Sequence, residues 1–322
     1  MIEEIRPDLY RIEIPLPNTP LKYLNSYLIR GDERHLVIDT GFDIPECHEA
    51  MHGGFEALDI DPERIDYFIT HNHMDHFGLV NRLTAPSNKV YFNTPDADIM
   101  REVHRRDMIL PFAIRHGFPK TDIHSALEKN FRYRPPNKLP ENLVLLEDGD
   151  TLSAGPFRFQ CVQTPGHSFG HMCLYDTGQK LFIAGDHLLN DISPTIQSWD
   201  DVHNPLQWYL ESLDKVYGLD IDLVLPGHRS LIHDHRLRID ELKAHHHQRC
   251  LEIESIIGTA PISAFEVASR MTWSIPGKSW QDFPISQQLF ALGETISHLK
   301  YLEEKRRIAS DESNGRCMYI II

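Results

Sequence analysis

The chain has 322 residues, 41% of them hydrophobic, and carries a formal net charge of −15 from 47 acidic against 32 basic side chains. This length and apolar content allow one large domain with an appendage and a packed core, whereas the acidity argues against a general polyanion binder, whose affinity begins with Lys and Arg neutralising phosphates. No stretch approaches the roughly 18 apolar residues of a membrane span, and the opening Met1-Ile2-Glu3-Glu4-Ile5-Arg6-Pro7 lacks the basic and apolar regions of an export signal. Cys47, Cys161, Cys173, Cys250 and Cys317 are scattered without a Cys-x-x-Cys pair, as expected of free thiols in a reducing cytoplasm.

Alternation in Leu9-Tyr10-Arg11-Ile12-Glu13-Ile14 predicts a strand, and the run from Ser26 to Asp39 predicts two more joined by a hairpin at Gly31-Asp32. A helix is expected over Cys47–Leu58, and Asp61-Pro62 reads as a helix or turn start. The apolar run Ile65, Tyr67, Phe68, Ile69 then leads directly into Thr70-His71-Asn72-His73-Met74-Asp75-His76. Four metal-ligating side chains at the end of a strand point to a metal site. His71 and His73, two apart on extended backbone, can face the same way, while Asp75 and His76 lie past the turn and can reach a second ion beside the first.

Lys89-Val90-Tyr91-Phe92 is a further short strand, after which residues 96–140 lose strand alternation. Helix-like stretches at Asp98–Leu110 and Ser125–Asn130, closed by Arg134-Pro135-Pro136, read as a helical insertion. Its nine Lys/Arg against six Asp/Glu make it locally positive within an acidic chain. A solvated helical face accounts for most of these charges; Arg101, Arg105, Arg106, Arg132 and Arg134 are the candidates for gripping an anionic substrate.

Strands resume at Leu143–Leu146 and Phe157–Val162, with a turn at Asp148-Gly149-Asp150 between them. Three apolar runs then each end in a small-residue turn that presents one ligand type: Cys161-Val162-Gln163-Thr164-Pro165-Gly166-His167, Leu181-Phe182-Ile183-Ala184-Gly185-Asp186, and Leu223-Val224-Leu225-Pro226-Gly227-His228. Between the last two, Asn204-Pro205 starts a helix whose stripe Leu206, Tyr209, Leu210, Leu213, Val216, Tyr217 reads as core. The His245-His246-His247 triplet, one small part of 20 histidines, reads as a polar helical stretch.

Taken in order, His71-x-His73-x-Asp75-His76, His167, Asp186 and His228 resemble the ligand signature of the metallo-beta-lactamase superfamily, from about Asp39 in Leu36-Val37-Ile38-Asp39-Thr40-Gly41 onward. The resemblance implies an α+β fold, a four-layer αββα sandwich with the metals at one edge. It also implies that His71, His73 and His167 hold a first ion, Asp75, His76 and His228 a second, and that Asp186 bridges them. Asp39 and His171 would support these ligands from behind, and Asp75 and His76 would carry catalytic roles besides ligation. Beyond residue 240 a serine-capped helix from Ile262-Ser263 and a longer one from Ser286 to Arg307 resemble the small winged-helix-like domain that follows the catalytic domain in some superfamily hydrolases. The expected organisation is therefore a catalytic domain over 1–240, with its helical insertion at about 96–140, and a winged-helix-like helical domain over 241–322.

Two divalent ions sharing a carboxylate lower the pKa of a shared water, so the expected chemistry is hydrolysis by a bridging hydroxide. A mostly nitrogen donor set favours two zinc ions per chain, with iron or manganese also able to occupy such sites. Leu189 stands where acyl-homoserine lactonases of the superfamily often have a tyrosine, which disfavours a lactonase, and the helical C-terminal segment differs from that of hydroxyacylglutathione hydrolases. The expected substrate is a small anionic ester or thioester. An endoribonuclease is the alternative, ahead of a lactonase or a mononuclear-iron persulfide dioxygenase. Nine Lys/Arg against eleven Asp/Glu over residues 240–322 speak against nucleic acid as a partner. A small-molecule substrate is the expected partner, no membrane is, and a homo-oligomer is left open.

Overall fold

A computed structural model describes residues 1–101, 105–128, 138–273, 279–313 and 315–322. By internal contacts the chain divides into two compact units, the first comprising Met1–Glu102, Pro136–Pro194 and Ser212–Ile239, the second Val103–Pro135, Thr195–Glu211 and Asp240–Ile322.

The first unit opens with four antiparallel strands, β1 (Ile2–Arg6), β2 (Leu9–Leu16), β3 (Lys22–Ile29) and β4 (His35–Ile38). Helix α1 (Pro45–Ala57) carries the chain to β5 (Ile65–Phe68), which lies parallel to β4. Proline in the first turn of α1, where a missing N–H leaves no bond unmade, fixes its start. Asp61 accepts from the Glu63 amide, forming the turn that re-aims the chain into β5. Short helices α2 (Met74–Phe77) and α3 (Val80–Leu83) precede β6 (Val90–Asn93), parallel to β5. After α4 (Thr94–Arg101), α5 (Arg105–Arg115) and α6 (Ile123–Glu128), strand β7 (Leu143–Leu146) closes a seven-stranded sheet in sequence order.

The second sheet contains β8 (Thr151–Ala154), β9 (Phe157–Gln163), β10 (Met172–Asp176) and β11 (Leu181–Gly185) in antiparallel succession. Helix α7 (Pro205–Tyr217) then crosses over to β12 (Leu223–Pro226), which pairs parallel with β11. Asn204 accepts from the Gln207 amide ahead of α7, the cap its Asn-Pro start implies.

Alternating side chains give each sheet two faces, and the first sheet buries both. Its inner face, with Tyr27, Ile29, Leu36, Ile38 and Phe68, packs on Phe159, Cys161, Leu174, Ile183 and Leu225 of the second sheet. Its outer face packs Ile12, Leu28, Val37 and Tyr67 on Cys47, Met51 and Phe55 of α1. On the far side, Ser212 and Lys215 of α7 bond the backbone carbonyls of Pro165 and Gln163. The result is the αββα sandwich expected from sequence. All five cysteines are free thiols, and among the described residues no helix is long and apolar enough to cross a membrane.

The second unit joins residues 103–135, read from sequence as part of an insertion, to the C-terminal segment: the Phe265 amide bonds the His116 carbonyl, and the Tyr319 hydroxyl lies 3.2 Å from His116 Nδ1. After α8 (His235–Ile256) come β13 (Ile262–Ser263), α9 (Ala264–Arg270), α10 (Ile285–Glu304) and the hairpin β14 (Ile308–Ser313) and β15 (Arg316–Ile321), in a sheet ordered β13-β15-β14. Ser263 and Glu266 form a reciprocal capping box at α9, as the serine-led start suggests. The longer helix stops at Glu304, short of the expected Arg307, because Arg306 takes a positive φ of 57° and turns the chain into the hairpin, whose strands the sequence did not announce. Along the chain this segment runs helix, strand, helix, helix, hairpin. His246 of the histidine triplet is buried, its Nδ1 3.1 Å from Nε2 of His298, so it belongs to this core and not to a solvated face.

These buried histidines give the unit an acid sensitivity. Burial, reinforced by the charge of Arg115, pushes His116 down to about 4, and burial pushes His298 down to about 3. Unfolding releases them to about 6.5, so the unfolded chain binds more protons as pH falls from 6.5 toward 4 and stability is lost across that window. His116 alone implies a loss of about 2 kcal/mol between pH 7 and pH 5. All four tryptophans, Trp199, Trp208, Trp273 and Trp280, lie in this unit, so their fluorescence in urea titrations reads it directly. The midpoint is expected to fall over that range; a flat midpoint contradicts the buried neutral assignment.

Candidate metal centre

Six strand ends supply the site. Strands β4, β5 and β6 are mutually parallel, so the residues after each, Asp39, His71–His76 and the Asn93–Asp96 turn, emerge at one edge. Strands β9, β11 and β12 likewise share a direction, releasing His167, Asp186 and His228 at one edge. The Met172 amide bonds the Thr70 carbonyl at 2.9 Å and the Asn25 amide bonds the Gly227 carbonyl at 2.7 Å, fastening the two edges together.

The supporting hydrogen bonds decide how each imidazole is protonated. Asp39, with a left-handed φ of 61° that aspartate tolerates better than most residues, accepts from the Thr70 amide at 2.9 Å and the Thr70 hydroxyl at 2.9 Å. Because that hydroxyl spends its proton on the carboxylate, it accepts from His71 Nδ1 at 3.0 Å, leaving His71 Nε2 as a bare lone pair. His76 Nδ1 donates to Asp39 Oδ2 at 2.7 Å, and His228 Nδ1 donates to the Tyr23 carbonyl at 2.8 Å. Each of the three rings therefore keeps a proton on Nδ1 at its rear partner and turns Nε2 inward.

Those atoms converge in two groups, linked by a third made of His71, His76 and Asp186. His71, His73 and His167 bring their ligand atoms within 4.8 Å of one another, as do Asp75, His76 and His228. His71 Nε2 and His73 Nδ1 are 2.9 Å apart. Asp186 stands between the groups and divides its carboxylate: Oδ2 lies 3.4 Å from His167 Nε2, while Oδ1 lies 3.4 Å from His76 Nε2 and 3.5 Å from His228 Nε2. Asp75 Oδ2 is 3.5 Å from His228 Nε2. Gly227 is required here, since a Cβ would stand 2.8 Å from Asp186 Oδ1 and 2.9 Å from His76 Cε1.

The donor set fits metal ions. Nε2 of His76, Nε2 of His228 and Oδ1 of Asp186 are buried without a hydrogen-bond partner among the described residues, an arrangement that is costly unless a cation satisfies them. Burial and the neighbouring histidines hold His71 far below its ordinary pKa, neutral and ready to ligate. Burial opposes charge on His76 as well, but Asp39 and Asp186 outweigh it and raise its pKa. In the same way, burial favours the neutral acid at Asp186, and His228, His76 and His167 reverse this and hold it ionised.

The profile of the metallo-beta-lactamase superfamily matches residues 20–228, nearly two-thirds of the sequence and the whole ligand series. The chain belongs to the metallo-beta-lactamase superfamily. Among curated relatives it is 22% identical over 316 residues to the probable metallo-hydrolase YqjP of Bacillus subtilis, covering 94% of each chain. It is 25% identical over 214 residues to the human acyl-coenzyme A thioesterase MBLAC2, covering 63% of this chain and 72% of that protein. The superfamily protein TTHA1429 of Thermus thermophilus superposes with a TM-score of 0.84 at 27% identity, covering 99% of this chain and 100% of that one. A beta-lactamase domain protein of Burkholderia ambifaria gives 0.85 at 25% identity, covering 100% and 94%.

In this superfamily member His171 is turned away from ligation: its Nε2 accepts from the Asp186 amide at 3.1 Å and its Nδ1 donates to the Thr164 hydroxyl at 2.9 Å. It holds the backbone that presents Asp186. Arg101 is exposed and paired with Asp98 at 2.6 Å. Arg105 and Arg106 lie in α5 with side chains outside the described residues, as are Arg132 and Arg134 altogether. The site also contains a residue that the sequence reading passed over, Asp96, fully buried between two ligand loops. The only local signal for it is the Asn-x-x-Asp turn opening α4, where Asn93 accepts from the Asp96 amide.

Proposed function

We propose that this protein is a hydrolase that uses two metal ions, zinc by the chemistry of the donors, to cleave a small anionic ester or thioester. The observation that carries this reading is the division of Asp186, one oxygen toward the His71, His73, His167 group and the other toward the Asp75, His76, His228 group. When bound, such ions polarise a substrate carbonyl and make water acidic enough to attack near neutral pH. The chain's part is to hold seven ligands rigidly, to fix the Nδ1 protons of His71, His76 and His228 on their rear partners, and to keep Asp75 beside both His228 and His76, where it can accept a proton from the attacking water. The name of the human thioesterase relative supports a thioester, and an acyl-coenzyme A substrate would supply the anionic group. Arg101, Arg105, Arg106, Arg132 and Arg134 remain the candidates to grip it. The free thiols are in keeping with a cytoplasmic site of action.

A panel of acyl-coenzyme A thioesters, lactones, aryl esters and single-stranded RNA tests the reading. Thioester hydrolysis is expected, abolished by a chelator and restored by added Zn²⁺. Neutralising the arginines singly is expected to raise KM at one or two positions without changing metal content. Inert thioesters together with metal-dependent RNA cleavage that salt weakens would overturn the assignment.

A further inference from the structure

We infer that Asp96 is a positioning residue for the three-histidine group, clamping the loop that carries His71 and His73 to the loop that carries His167. Its side chain has no solvent exposure. Oδ2 accepts from the Asn72 amide at 3.0 Å, and Asn72 is the residue between His71 and His73. The same oxygen accepts from the Ser168 hydroxyl at 2.8 Å, and Oδ1 accepts from the Gly170 amide at 2.9 Å, both in the turn that presents His167. One carboxylate thus ties together two segments that meet only through the fold, and it does so immediately behind three ligands. An ionised carboxylate suits this place because it offers acceptors alone, and every group facing it in these contacts is a donor.

The surroundings show that the clamp is built to a fixed geometry. Asn93 at the end of β6 accepts from the Asp96 amide at 2.8 Å, setting the carboxylate at the start of α4. Gly170 leaves no room for a side chain: a Cβ there would lie 1.7 Å from Asn93 Oδ1 and 2.8 Å from the Asp96 amide nitrogen. Residues that orient ligands in this way hold metal affinity, since a ligand freed to rotate must be re-ordered each time an ion binds.

The inference rests on the metal-binding reading above, so the test separates the two. Native chain, Asp96→Asn and Ser168→Ala are stripped, reloaded with Co²⁺, and compared by chelator competition, by the visible absorption of the bound ion, and by the unfolding midpoint of the metal-free protein. An asparagine leaves one of the two facing edges meeting an amide N–H₂. The clamp therefore predicts that Asp96→Asn releases one of two ions at about 10- to 100-fold lower chelator concentration, with an altered spectrum for that ion. Ser168→Ala removes a single bond and is expected to show the same change at a few-fold, with a metal-free midpoint close to native, which keeps the test decisive should the Asn variant fold poorly. Native affinity and spectrum in both variants would overturn the clamp while leaving the metal reading intact, even if the midpoint fell. A native chain that binds no ion would overturn both.

Discussion

Replacing Asp186 with alanine is expected to lower metal content from about two ions per chain to one or fewer, and to cut hydrolysis by at least about a thousandfold, the order that several kcal/mol of lost electrostatic stabilisation implies. Its carboxylate reaches both ligand sets, within 3.4 Å of His167 on one side and of His76 on the other, so its loss leaves both with a deficit of negative charge. The histidines themselves are undisturbed by the change: His71, His76 and His228 keep their rear partners at Thr70, Asp39 and Tyr23. Elemental analysis and turnover measured on the same preparation check this, and unchanged turnover would remove the bridging role.

The second large effect is expected at Asp39, which is buried behind His76. Asp39→Asn keeps the size of the side chain but presents an N–H₂ group to His76 Nδ1 when its oxygen stays with Thr70. The imidazole then has to accept at Nδ1 and carry its proton on Nε2, the atom that faces Asp75 and Asp186. A protonated Nε2 cannot ligate. Affinity at the Asp75, His76, His228 group is expected to fall by about 10- to 100-fold, with the three-histidine group much less affected. Two equal, native affinities in the Asn variant would contradict the tautomer argument.

The candidate ligand series was legible in the sequence because its logic is local. Each of His71, His167, Asp186 and His228 follows a run of buried apolar residues and a short break, and a strand that must end at the sheet edge leaves its next polar residue at that edge. The packing of two sheets into a sandwich was an expectation from the family resemblance and not from these runs. Asp96 was not legible as a site residue because its partners are 24, 72 and 74 residues away, and nothing near it in sequence distinguishes it from a helix-capping aspartate. The hairpin β14 and β15 was missed for a related reason. Ile308–Ser313 reads Ile-Ala-Ser-Asp-Glu-Ser, without alternation, and is a strand through its register with Arg316–Ile321. His246 looked like one of three polar histidines, yet it falls at helical spacing on the stripe Ile239, Leu242, Cys250 and Ile253 that α8 buries, and its Nδ1 meets His298, 52 residues on. Joining residues 103–135 and 195–211 to the C-terminal segment also depends on contacts between distant parts of the chain.

The number of ions that the native site takes decides whether two ligand groups share Asp186. Isothermal titration of Zn²⁺ into the chelator-stripped native chain is expected to saturate at about two ions per chain, as two ligand groups sharing Asp186 require. Saturation at one ion, or no binding at all, would contradict it.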